Sequence, residues 1–230
     1  MINIEKYCIF KGVNSLDLGL YMEFLPERIS PRRRDEAIVI SGRHGSLTAT
    51  DGTFETYILQ SEFILKNLSK TDEICSHFKG EGDLIFSDTL NRKFRARVSN
   101  KIEFSRIIRD LKRFVVEFEV QPFMYEAASS TLTLTEPTTI LNIGNFESEP
   151  ITTIYGQGDI TLTINNSNII LNGVERKITP NSEALNAYND SLLLNNKISG
   201  DFPVLSIGEN IISWTGSVTK LEIMPNWRWL

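Results

Sequence analysis

Two histidines and two cysteines are all that this 230-residue chain holds of the side chains that most often carry metal, redox or nucleophilic chemistry. Cys8 and Cys75 stand far apart and outside any Cys-x-x-Cys pattern. They predict no disulfide scaffold, and two isolated thiols suit assembly in a reducing cytosol. His44 and His77 have no second His, Cys or carboxylate at ligand spacing, which argues against a zinc site. No Gly-x-Ser-x-Gly elbow and no phosphate-loop lysine motif occurs. Tyr155-Gly-Gln-Gly-Asp159 contains a Gly-x-Gly, but a strand follows it where a phosphate site needs a helix, so it reads as a turn. Acidic residues number 29, yet nothing marks two of them as a hydrolytic pair. Long apolar runs are missing too. No stretch approaches the roughly 20 residues of a membrane span, and the opening MINIEKYCIFKGVNS lacks the apolar centre of a signal peptide. The expectation is no catalytic residue, no cofactor, no metal and no membrane insertion.

What is present is the composition of a globular protein, 41% hydrophobic and 23% charged. A formal net charge of −5 argues against nucleic acid as a general partner. The charge is unevenly spread. Residues 1–126 carry 19 basic and 19 acidic side chains, whereas residues 127–230 carry 5 and 10. That break predicts two domains, 1–126 and 127–230.

In the first part, Tyr7–Phe10 reads as a strand entering a turn, and Tyr57–Leu65 as a central strand. Lys70–Lys79 is the one helix, with Ser69 or Thr71 as its cap, Asp72 and Glu73 in its first turn and Gly80 as its stop. Alternation places Phe94, Ala96 and Val98 on one face of a strand, opposite Lys93, Arg95 and Arg97. Phe114, Val116, Phe118 and Val120 alternate in the same way with Glu117 and Glu119. If those strands are neighbours, their outer faces pair by charge. Ile102–Ile108 reads as a further strand, and Gln121–Glu126 as the break between domains. Beyond it come short alternating runs, Thr131–Thr135 and Ile160–Ile164. Asn-rich turn clusters such as Asn165–Asn168 and Asn172-Gly173 separate them, the pattern of a β-sandwich. The fold class is therefore mainly β: an antiparallel domain with one short helix, then a sandwich. In the second domain Tyr155, Tyr188, Trp214, Trp227 and Trp229 offer two readings, a sugar-stacking platform or core packing. The second is preferred for Trp214.

The chain is organised around residues 25–52, LPERISPRRRDEAIVISGRHGSLTATDG. Strand-like Ala37–Ile40 and Ser46–Thr50 flank a turn at 41–45, giving a long hairpin. Its flanks hold too little apolar surface to bury both faces, and a lone hairpin is marginal in water. It is expected to lie on a neighbouring copy of the chain, with Arg28, Arg32, Arg33, Arg34, Ile38, Ile40, Arg43, His44 and Leu47 as inter-subunit residues. The guanidinium groups suit carboxylates of that neighbour. An ordinary charged surface hairpin is the plain alternative.

Three segments resemble the distal tail (Dit) family of long-tailed, non-contractile phages. They are Phe10–Gly19 leading into the arginine-rich arm and Ile40–Gly45; Arg113–Tyr125 with its Gln-Pro-Phe-Met-Tyr ending; and Leu194–Pro203 with Gly208-Glu-Asn210 and Ile223–Arg228. The likeness spans nearly the whole chain, although His44 stands where the family often has an acidic residue. The resemblance implies a structural protein and no enzyme. It implies a homohexameric ring, single or stacked, with an N-terminal belt domain closed by the arm and a galectin-like C-terminal sandwich. Its partners would be the tail tube protein, the tail-associated lysin and, in some phages, a receptor-binding protein, with DNA only passing through the channel. It would assemble in the host cytoplasm and reside in the virion. A carbohydrate-binding module acting through the second domain is the rival, and a glycan hydrolase a weaker third.

Overall fold

The computed structural model describes residues 5–66, 68–108 and 111–230. The chain divides into two compact units, Met1–Ala127 with Leu230, and Ala128–Trp229. The observed class is mainly β, as the sequence predicts.

The first unit contains β1 (Cys8–Phe10), β2 (Val13–Asn14), β3 (Leu20–Met22), β4 (Arg33–Ile38), β5 (Leu47–Phe54), β6 (Tyr57–Leu65), α1 (Thr71–His77), β7 (Glu81–Phe86), β8 (Arg92–Val98), β9 (Ser105–Ile108) and β10 (Leu111–Glu126). An antiparallel sheet runs in the order β2-β1-β7-β8-β10-β6-β3, with β9 paired to the start of β10. Strand β6 matches the expected span. In β10, Phe114, Val116, Phe118 and Val120 are buried, as the alternation requires. Strands β8 and β10 are neighbours, Arg97 faces Glu119, and their charged groups meet at 2.7 Å. Helix α1 covers the sheet with Ile74 and Phe78, both buried. The Phe78 ring lies 5.5 Å from Phe63 and 6.0 Å from both Phe10 and Phe118. Full burial of such a ring stabilises by about 1.5–3 kcal/mol, which explains why so short a helix forms at all.

Several details differ from the expectation. The cap position of α1 is Lys70, preceded by a 3-10 turn at Leu68–Lys70, and not Ser69 or Thr71. Strand β9 begins at Ser105 and not at Ile102. The run Gln121–Glu126 is no break but the end of β10, set off by a bulge between Val120 and Met124. Pro122, which has no N–H to give to a ladder, sits where the pairing lapses.

The second unit holds β11 (Leu132–Leu134), β12 (Thr138–Asn142), β13 (Ile151–Ile164), β14 (Ser167–Asn181), β15 (Asn186–Asn189), β16 (Leu192–Leu193), β17 (Ile198–Gly200) and β18 (Gly208–Met224). Three of these strands are far longer than the short runs the sequence suggests, because each bends partway and continues. Their first and second halves take different partners: β18 pairs β12 through Gly208–Ile212 and β11 through Leu221–Ile223. Likewise β14 pairs β17 through Ile169–Leu171 and β15 through Thr179–Asn181. One set of halves contributes Leu162, Ile169 and Ile212, the other Ile154, Ile178 and Leu221, and all six share one buried cluster. The unit is therefore a sandwich whose two layers are largely the two halves of the same three strands, closed over one core.

Glycine makes the bends possible. A Cβ at Gly156 would stand 2.3 Å from the Ser217 carbonyl oxygen, and one at Gly216 would stand 2.4 Å from that of Asp159. So Tyr155-Gly-Gln-Gly-Asp159 is a bulge inside β13 and not a turn between strands. Asn172-Gly173, also read as a turn, lies inside β14. The tryptophans serve the core. Trp227 is buried, and Trp214 and Trp229 pack against the same cluster. Among the described residues no helix is long and apolar enough to cross a membrane.

Candidate inter-subunit arm

Strands β4 and β5 form a two-stranded sheet of their own, paired with no other strand among the described residues. Every residue from Arg32 to Thr53 is exposed. The strand boundaries differ from the expected ones. Strand β4 starts at Arg33, so Arg33 and Arg34 belong to the ladder, while Val39 and Ile40 fall in the connecting loop. Strand β5 runs on through Asp51-Gly52 to Phe54.

Local chemistry explains how such a segment keeps its shape. Asp51 Oδ1 accepts hydrogen bonds from the Thr53 amide at 2.8 Å and the Thr53 hydroxyl at 2.6 Å. Those bonds hold the Asp51 carboxyl below its ordinary range. Gly52, between them, takes φ +79°, a left-handed conformation that costs glycine little. The register also shifts between Arg33 and Asp35, so both strands are irregular near the base. At the root, the Glu55 amide donates to the Arg32 carbonyl at 2.8 Å. The Phe54 ring stands edge-on to Phe123 at 5.8 Å, and the Arg33 guanidinium lies 5.8 Å from the Phe54 centroid. Phe123 comes from the bulged part of β10. Sequence reasoning missed both Phe54 and Phe123. The available signal was an aromatic at each end of an otherwise polar junction.

The nine predicted residues separate into groups. Arg28 is occupied within its own unit, donating from Nη2 to the Thr89 hydroxyl at 2.9 Å. Arg33 is engaged with Phe54. Arg32, Arg34 and Arg43 are exposed and have no carboxylate within ion-pair distance among the described residues. Ile38 lies opposite Leu47, and both are exposed, at 45% and 40%. Ala49, two positions beyond Leu47, shares their face by the two-residue strand period. Ile40, 43% exposed, and His44 lie in the loop. The arm thus presents an apolar stripe and exposed guanidinium groups to solvent, with the charge of Arg34 helping to hold the Asp51 carboxyl down. Such a surface can bind a complementary surface. Among the described residues no group of three His, Cys, Asp or Glu side chains is placed to hold a metal.

The architecture is defined by an antiparallel domain with an extended hairpin, followed by a sandwich of bent strands. No protein-family model matches the sequence, and no curated protein matches it. Among solved structures the chain is similar to the crystal structure of SPP1 Dit (gp 19.1), described as a paradigm of the hub adsorption apparatus in phages infecting Gram-positive bacteria. The TM-score is 0.71, with 98% of this chain and 99% of that chain covered at 13% identity. The likeness is one of fold, and it extends over both units. The fold implied by the sequence resemblance is the fold the chain adopts.

Proposed function

We propose that this protein is a structural hub of a phage tail tip, a homohexameric ring joining the tail tube protein to the tail-associated lysin. The arm of each copy lies on the next copy, a heterologous contact that closes by rotation. The apolar stripe of Ile38, Leu47 and Ala49 is covered there, and Arg32, Arg34 and Arg43 meet carboxylates of the neighbour. The second unit is a galectin-like sandwich that projects outward, where it anchors receptor-binding protein. DNA passes through the ring without specific contact, and the ring assembles in the host cytoplasm before entering the virion. The role is structural and not enzymatic.

One observation carries this reading: a fold likeness covering 98% of the chain coincides with a hairpin exposed from Arg32 to Thr53. A hairpin of that kind gains little from its own fold and much from a partner. Electron microscopy of the purified chain, alone and mixed with a tail tube protein, is the test. Annular particles with six-fold symmetry are expected. Particles without a ring in both samples would contradict the proposal.

A further inference from the structure

In one layer of the second unit the strands lie in the order β12, β18, β13, β14, β17, which leaves β12 and β17 as its edges. An open edge is a row of unpaired main-chain groups, and proteins usually protect it with charge, proline, a kink or brevity. The β17 edge follows that rule. It is three residues long, Lys197 precedes it, and Gly200 takes φ +95°. The β12 edge is far less protected. Pro137 precedes it, but it is five residues long, the longest edge strand among the described residues of this unit. No charged residue occurs from 137 to 146.

The bonds of β18 fix the direction of the free groups. The Ile211 amide donates to Asn165 Oδ1 at 3.0 Å, and the Ile211 carbonyl accepts from the Asn165 amide at 2.8 Å. Asn165 follows the last residue of β13, so the main-chain groups of Ile211 point away from β12. Thr139 faces Ile211 and Leu141 faces Glu209. By antiparallel alternation neither pair exchanges main-chain bonds, so the N–H and C=O of Thr139 and Leu141 point outward. No strand and no other hydrogen bond meets them among the described residues. Both residues are exposed, Leu141 at 59%, and Ile211, diagonal to Leu141 on the same face, at 63%. Three exposed carboxylates flank the strand. Glu136 precedes it and Glu209 lies beside Leu141. Asn142 Nδ2 donates to the Phe146 carbonyl at 3.1 Å, which turns Glu147 back toward the end of β12. None of the three has a cation within ion-pair distance among the described residues.

We propose that the β12 edge binds an extended, basic segment of another protein, which joins the layer as one more antiparallel strand. Thr139 and Leu141 offer donor and acceptor pairs at a two-residue spacing, and a β-strand is the partner that answers them at that spacing. A helix has already spent its main-chain groups on itself. Apolar side chains of the segment lie beside Leu141, and Lys or Arg at its ends meet Glu136, Glu147 and Glu209. A second copy of β12 paired across a two-fold axis would instead bring those carboxylates against their own kind. The site lies apart from the arm and does not depend on ring formation.

The test is fluorescence anisotropy of labelled peptides titrated with the full chain. The probe has a Val-Thr-Val-Thr-Val centre with two Lys at each end, and its match carries Glu in place of Lys. A companion series replaces Val by Ile, Leu or Phe. At least one Lys peptide is expected to bind saturably, and its Glu match about tenfold more weakly or not at all. N-methylation of the apolar residues, whose amides face the edge, is expected to abolish binding, and N-methylation of the Thr residues to leave it. Thr139→Pro removes one outward N–H and no ladder bond, and is expected to weaken binding about tenfold, the scale of one main-chain hydrogen bond. Leu141→Lys places a charge on the edge and is expected to abolish binding, whereas Leu185→Lys in an exposed turn leaves it intact. Thermal midpoints establish that the variants are folded, and Leu141→Lys decides alone if Thr139→Pro is not. The proposal is overturned if no Lys peptide binds, if Lys and Glu peptides bind alike, or if both methylations act alike. It is equally overturned if Leu141→Lys has no effect. A mass in solution that falls with Leu141→Lys would assign the edge to a second copy and also overturn it.

Discussion

Glu119 is held below the ordinary carboxylate range chiefly by its hydrogen bonds to Arg97, with Thr56 contributing. A carboxylate whose folded pKa is depressed stabilises the fold above its unfolded value, and that contribution is lost as the pH falls through the folded value. Here the window opens at about 4.5 and extends downward. Arg97 is mostly exposed, so the pair is screened and contributes about 0.5 kcal/mol. Arg97→Ala is expected to lower stability by about that amount at neutral pH, and by nothing once Glu119 is protonated. Urea unfolding at the two pH values checks it. A second expectation concerns the thiols. Burial pushes Cys8 up to about 12, whereas Cys75 is half-buried. Only the thiolate reacts with Ellman's reagent. The native chain should therefore titrate one thiol quickly and yield the second only on unfolding.

The elements show what a sequence reveals and what it hides. Strands β8 and β10 were legible because one face of each is buried, and a period of two in Phe, Val, Lys and Glu is a strong signal, whereas β6 was legible from its length and β-rich composition. The alternation also set opposite charges on the outer faces of β8 and β10, while the neighbour relation and the register that bring Arg97 to Glu119 come from the fold. The bends of β13, β14 and β18 were hidden, because a glycine that lets one strand approach another looks the same in sequence as a glycine in a turn. Ser217 is distant from Gly156 in sequence, and only the fold brings the two together. The arm was legible as a hairpin but not in its limits, since charged Arg33 and Arg34 conceal a strand that has no buried face. The bends make a prediction. Gly158 has open space around it but takes φ +78°, so Gly158→Ala is expected to cost about 1 kcal/mol. Gly156→Ala drives a methyl into backbone and is expected to cost about 3 kcal/mol. Chemical denaturation of both variants distinguishes them, and equal losses would mean that the close approach to Ser217 is not what shapes β13.

For the whole molecule, the proposed ring has the arm as the part through which copies join. The arm can be removed without disturbing its root, because Arg33 and Phe54 face each other across the ladder. A two-residue turn placed between them would replace residues 34–53 and close a short hairpin. The measurement is the mass in solution, by light scattering, of the intact and the shortened chains. Six times 26.1 kDa, or twice that for stacked rings, is expected for the intact protein, and a folded monomer for the shortened one. A shortened chain that still forms the full assembly, or an intact chain that stays monomeric, would contradict it.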